Sequence, residues 1–161
     1  MAINLSTAGI HLYYAVESTA GTMPVTGLID LKGVKSTPDF NPAPDTLETT
    51  TLNETEWKSY IDGLKDPGGA LEFNFNMTQE LVTLWESLMT AYTTGKTSTT
   101  PLATWFYIMI PGLNKVFCFT GNPSSMGLPP AEVSSVLEIT NRITPTGAPT
   151  QVLKSEITFP Q

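Results

Sequence analysis

The sequence predicts a mainly β chain: a β-sandwich or partly closed barrel of about eight strands with one flanking α-helix over about 78–94. Three observations predict it. Threonine, which is β-branched and suits a pleated, half-exposed surface, occupies 25 of 161 positions. Thirteen prolines and twelve glycines punctuate the chain into short segments. Apolar residues alternate with polar ones over most of these segments and switch to helical spacing only once.

The elements follow in order. Over Ile10 to Glu17, His11, Tyr13 and Ala15 alternate with Leu12, Tyr14 and Val16, a strand pattern. A turn region, Gly21 to Pro24, leads to a second strand over Leu28 to Lys35. Pro38, Pro42 and Pro44 break any regular ladder, so 37–45 reads as a loop. Thr46 to Leu52 reads as a strand, and 53–69 as a long loop without a clean period that ends in the turn Asp66-Pro67-Gly68-Gly69. Ala70 to Met77 is the clearest strand: Leu71, Phe73, Phe75 and Met77 share a face, with Glu72, Asn74 and Asn76 opposite.

The helical period comes next. Leu81, Leu84, Trp85, Leu88 and Tyr92 form one stripe, with Thr78 as N-cap, Glu80 in the first turn and Gly95 as the C-terminal stop. Ala103 to Ile110 is apolar on both faces, as a strand covered on both sides is. Pro111-Gly112-Leu113-Asn114 turns it into Lys115 to Thr120, forming a hairpin. After a Gly/Pro-rich loop, Glu132 to Arg142 alternates, with Val133, Leu137 and Ile139 against Glu132, Glu138 and Arg142. Val152 to Phe159 reads as the last strand.

Charge narrows the function classes. Only 14% of residues are charged, well below the usual quarter, yet the net charge is −7. Between Asp39 and Glu72 lie eight carboxylates and two lysines, so this one region carries most of the asymmetry. An acidic chain lacks the concentrated positive charge that backbone binding of nucleic acid needs. No signal peptide and no bilayer-length apolar run is visible, so the expectation is a soluble intracellular product that does not enter a membrane. A single cysteine, Cys118, permits no internal disulfide.

Catalytic chemistry is not expected. His11, the lone histidine, has no second ligand at metal spacing and reads as a strand or interface residue. Cys118, between Phe117 and Phe119, reads as a small buried hydrophobe. The carboxylates lack the tight alternation of a calcium loop. Nucleophile motifs and phosphate-binding glycine loops are missing, so neither cofactor nor metal is expected. Trp57 and Tyr60 stand among acids in a polar segment. Such aromatics either fold back onto their own core or meet a partner, and the sequence leaves both open.

The run Tyr60-Ile61-Asp62-Gly63-Leu64-Lys65-Asp66-Pro67-Gly68-Gly69 leading into LEFNFN, with the amphipathic helix after it and the threonine-rich DTLETTTLNETEW before it, resembles the tail tube (major tail) proteins of long-tailed, siphovirus-like bacteriophages. The similarity is most specific over Leu31 to Trp85; the rest agrees in strand order and length. The resemblance implies one tail-tube-like domain over 1–161, with a short N-terminal arm (1–8) and long loops at 37–45 and 53–69. Its members form hexameric rings that stack into a tube, with sheets joined edge to edge around a lumen through which genome DNA leaves the capsid. The fold is shared with inner-tube proteins of contractile tails and type VI secretion. Implied partners are further copies of the chain, a tape measure protein within the tube, terminator and distal tail proteins at its ends, and double-stranded DNA in transit. Synthesis in the host cytoplasm and residence in the virion tail are implied too.

On this reading Pro38, Pro42, Pro44, Glu54, Trp57, Tyr60, Leu64 and Asp66 are candidates for contacts between subunits or rings. Glu72, Asn74, Glu132 and Glu138 are candidates for the lumen wall, where negative charge would repel DNA phosphates. Two other classes compete. A monomeric β-barrel or sandwich binding module, or an adhesin-like domain, would hold an internal pocket. A hydrolase using Glu54 and Glu56 would need both on one face, whereas an extended chain points them apart.

Overall fold

Alternating burial marks the strands over Leu71–Asn76 and Glu138–Pro145, as a period of two with one covered face requires. In the computed structural model, which describes residues 4–41, 43–66 and 68–161, the order is β1 (His11–Val16), β2 (Ile29–Asp30), β3 (Val34–Ser36), β4 (Pro44–Glu48), β5 (Tyr60–Lys65), β6 (Leu71–Asn76), α1 (Gln79–Lys96), β7 (Thr104–Met109), β8 (Lys115–Pro123), β9 (Glu138–Pro145) and β10 (Thr150–Leu153), followed by a 3-10 turn, Lys154–Glu156. Mainly β with one helix, the fold class is the expected one, built from ten strands. Met1 to Ile3 of the expected N-terminal arm, and Pro42 and Pro67, lie outside the described residues.

Eight strands form one antiparallel sheet in the order β2-β1-β7-β8-β9-β6-β3, with β10 also on β8. Strand β8 is long enough to serve two neighbours along one edge. Its residues Lys115 to Cys118 pair with β10, and Gly121 to Pro123 pair with β9. The sheet curls into a half-barrel, and a single short segment bridges its ends. Leu31 donates its N–H to the Leu12 carbonyl at 2.8 Å, while the Gly33 carbonyl accepts from Asn76 N–H at 3.0 Å. The expected strand over 28–35 is therefore two short pieces on opposite ends of the sheet. The break lies at Gly33, whose φ of +88° suits only glycine at low cost.

Two apolar cores lie on the two faces of β1 and β7. The inner one gathers Leu12, Tyr14, Leu71, Phe73, Phe75, Phe106, Phe119, Ile139 and Ile143 under Leu81, Trp85 and Leu88 of the helix. The outer one, with Tyr13, Ala15, Tyr107, Val116 and Cys118, is covered by Met23 to Leu28 and by Ile157 and Phe159. This is why Ala103 to Ile110 reads as apolar on both sides. Helix α1 starts as expected, with Thr78 Oγ1 accepting from Leu81 N–H at 3.1 Å. It does not stop at Gly95, which is helical and buried. A Cβ there would sit 3.1 Å from Val16 Cγ1 and 3.2 Å from the Leu102 carbonyl, so this glycine permits close packing rather than a C-cap.

Four further expectations are corrected. The loops at 37–45 and 53–69 each contain part of a strand, because β4 begins at Pro44 and β5 occupies Tyr60–Lys65. The strand expected over Thr46 to Leu52 is accordingly shifted, ending at Glu48. The strand expected from Glu132 begins only at Glu138; before it the chain is an exposed loop with Ser134 at φ +61°. The last strand starts and ends early, and the 3-10 turn then carries Ile157 into the outer core.

Candidate functional site

The β4–β5 hairpin forms a sheet of its own, paired with no other strand among the described residues. Opposed pairs are Thr46–Asp62, Leu47–Ile61 and Glu48–Tyr60, and the register shifts before Pro44–Lys65. Gly63 lies at that irregularity, where a Cβ would come 3.0 Å from the Asp45 carbonyl. Side chains hold the connecting loop together. Thr49 N–H donates to the Ser59 carbonyl at 2.8 Å, Ser59 N–H to Thr50 Oγ1 at 3.0 Å, and Ser59 Oγ to Glu54 Oε2 at 2.8 Å. Lys58 Nζ lies 3.4 Å from Glu48 Oε2, an exposed pair of small energetic weight.

No described residue between 43 and 66 is buried. Leu47, Leu52, Tyr60 and Ile61 are exposed, Trp57 is 84% exposed and Leu64 88%. Neither Trp57 nor Tyr60 folds back onto the core; both side chains are exposed. Two strands alone are at best marginally stable in water. A hairpin that also displays this much apolar surface gains most when another surface covers it, at roughly 25 cal/mol for each Å² removed from water. Six carboxylates against two lysines give the same stretch a net charge of −4.

The structure brings most of the predicted contact residues onto this arm. Pro44 opens β4, Glu54 and Trp57 lie in the connecting loop, and Tyr60 and Leu64 lie on β5. Asp66 closes the arm, its Oδ1 accepting from Gly68 N–H at 2.9 Å. Pro38 is half-buried below the root, which Phe40 anchors by an edge contact with Phe119 at 5.4 Å between centroids. Pro42 falls outside the described residues.

Three of the four lumen candidates share the polar face of β6 and β9. Glu72 lies opposite Arg142 and accepts from it at 2.9 Å. Asn74 accepts from Thr140 Oγ1 at 2.6 Å and donates to Ser36 Oγ at 2.8 Å. Glu138 is paired with Lys35. Each carboxylate on this patch thus has its own cation, so it is a balanced polar surface rather than a bare acidic one. Glu132 does not belong to it, since it lies in the loop before β9. Sequence reasoning overlooked Lys35, Ser36 and Thr140, whose role depends on the β3–β6–β9 pairing; the alternation around Arg142 was the available signal. Leu128, Val133 and Val136 also stand exposed in the 124–137 loop.

Four other titratable groups, Glu17, His11, Tyr107 and Cys118, lie on or beside β1, β7 and β8. Glu17 is only 5% exposed, yet its carboxylate accepts from Gly21 N–H at 3.1 Å, Ala103 N–H at 3.1 Å and Trp105 Nε1 at 2.8 Å. This satisfies a charge that would otherwise be costly to bury. His11 Nδ1 lies 3.2 Å from Asp30 Oδ2 at the sheet end. Burial pushes the Cys118 thiol up to about 12, the opposite of what a nucleophile needs. Burial also raises the Tyr107 phenol, whose hydroxyl donates to the Pro24 carbonyl. Among the described residues, no three His, Cys, Asp or Glu side chains gather as a metal site, and no helix is long and apolar enough to cross a membrane.

No family model and no curated protein matches the chain. Its fold does match a solved one. A chain of the anti-feeding prophage baseplate, from a six-fold symmetrised cryo-electron microscopy structure, superposes with a TM-score of 0.58 at 8% identity, over 94% of this chain and 97% of that one. At that identity the likeness is one of fold: the curled sheet with its flanking helix is an architecture also found in that baseplate chain.

Proposed function

We propose that this chain is a structural subunit of a phage-tail-like assembly, in which copies form hexameric rings that stack into a tail tube for genome DNA. The observation that carries the reading is the β4–β5 arm, a hairpin without one buried residue that displays Leu47, Leu52, Trp57, Ile61 and Leu64. A monomeric binding module has no use for such an element, whereas a subunit completed by its neighbours does. The fold shared with a baseplate chain supports the same class of role, and the six-fold symmetrisation of that baseplate supports the ring size.

The role is architectural, without catalysis or cofactor. Its partners are other copies of the chain, a tape measure protein inside the tube, terminator and distal tail proteins at its ends, and double-stranded DNA in passage. The protein is made in the host cytoplasm and resides in the virion tail. The β6–β9 face, where Glu72 meets Arg142 and Glu138 meets Lys35, offers phosphates no excess of cations to hold them. It is the surface best suited to the lumen. The baseplate likeness favours a second reading, a ring that caps a tube without propagating it.

Sedimentation of wild type beside Trp57→Ala and Leu64→Ala tests the role. Wild type is expected to form large particles as concentration rises, and the variants to stay small with unchanged thermal midpoints. Variants that assemble like wild type would remove the arm from the account, and closed single rings would favour the capping reading.

A further inference from the structure

The eight cations of the chain can be accounted for one by one. Lys32 meets Glu80 at 2.9 Å, Lys35 meets Glu138, Lys58 meets Glu48 and Arg142 meets Glu72. Lys96 lies over the Tyr92 ring, 5.7 Å from its centroid. Lys65 belongs to the acidic arm itself. Only Lys115 and Lys154 remain, and among the described residues neither meets a carboxylate.

These two lysines are neighbours. Lys115 pairs with Leu153 across β8 and β10, and the Lys154 N–H donates to the Asn114 carbonyl at 2.8 Å. The exposed Leu153 lies between them, and Glu156 follows in the same turn, leaving the corner with one net positive charge. The arm has its root elsewhere. Lys65 and Phe40 line a cleft with Pro145 to Pro149, the turn before β10, so the root lies at one end of the β8–β10 ladder and the lysines at the other.

We infer that the acidic, apolar arm of one copy is received by the Lys115–Leu153–Lys154 corner of the next copy. The inference rests on the assembly reading and names the receiving surface. The two halves suit each other. The arm brings a net −4 with exposed Trp57, Leu52 and Leu64, and the corner brings unpaired lysines around an exposed leucine. Oppositely charged patches steer encounter and set register, while the apolar residues they surround supply most of the affinity. Because arm and corner are different surfaces at different ends of one ladder, the contact is head-to-tail. Contacts of that kind propagate instead of closing into a symmetric dimer.

Charge reversal tests it. K115E/K154E is expected to raise the concentration needed for assembly by about tenfold or more at low salt, as for a close interfacial charge pair. Adding E54K/E56K to the same chain is expected to restore assembly. At roughly 1 M salt, where the Debye length falls to about 3 Å, the gap between wild type and K115E/K154E is expected to narrow. Disulfide trapping supplies a readout without reversal: Glu56→Cys protein mixed with Lys154→Cys protein should give a crosslinked pair in assembled material. If wild type assembles while K115E/K154E assembles equally well, or while no crosslink forms, the corner is not the receiver and the assembly reading stands. If wild type never assembles, both fall.

Discussion

At the scale of single residues, Glu17 and Cys118 show how buried polar groups constrain the fold. Three N–H donors converge on Glu17, two of them from the far side of the helix in sequence. Glu17→Gln turns one acceptor oxygen into a donor facing a donor, at a cost of about 2 kcal/mol. The thermal midpoint is expected to drop by roughly 4–8 °C in a calorimetric scan. Cys118 gives a pH dependence. Its thiol is raised from 9.0 to about 12 by burial, so the folded state holds the neutral form. Unfolded chains ionise near the ordinary value, so this contribution to stability is complete below pH 9 and is lost as pH rises from there toward about 12. Urea midpoints should therefore fall above pH 9, less steeply in Cys118→Ala. Cys118 was legible as a buried residue because Phe117 and Phe119 flank it. Glu17 was not, because its partners Ala103 and Trp105 are brought to it only by the pairing of β1 with β7.

At the scale of elements, the same physics explains which segments could be read. Leu71 to Asn76 and the helix each bury one face, and burial of one face is what writes a period into a sequence. Strand β5 buries neither face and is interrupted at Gly63, so Tyr60–Lys65 carries no alternation and reads as loop. The reverse error arises in 132–137, where Val133 and Leu137 mimic a strand while standing exposed in a loop. Amide exchange checks the arm directly. Its β4–β5 amides are expected to exchange fast at low concentration and to become protected on assembly, while β6 and β9 stay protected throughout. The bridging segment has its own test. Gly33→Ala forces a Cβ into a left-handed conformation 3.3 Å from the Asn76 carbonyl. A loss of about 1–2 kcal/mol in chemical denaturation is expected.

At the scale of the whole molecule, charge and burial set the β4–β5 arm apart from the body. Most of the −7 net charge resides in the region that the body of the protein does not cover, and the inner core is complete without it. The acidic region was visible in the sequence as a composition anomaly, but that it forms a hairpin was not, because its strands bury neither face and pair only with each other among the described residues. The lumen candidates fared similarly. Glu72 and Glu138 stood out as acids, whereas their neutralisation by Arg142 and Lys35 depends on neighbouring strands. Negative-stain microscopy of purified wild-type protein at rising concentration tests the proposed role as a subunit most directly. Hollow, regularly striated tubes with six-fold end views are the expected result; a monomer that persists at high concentration, even with a tail-completion partner added, would contradict it.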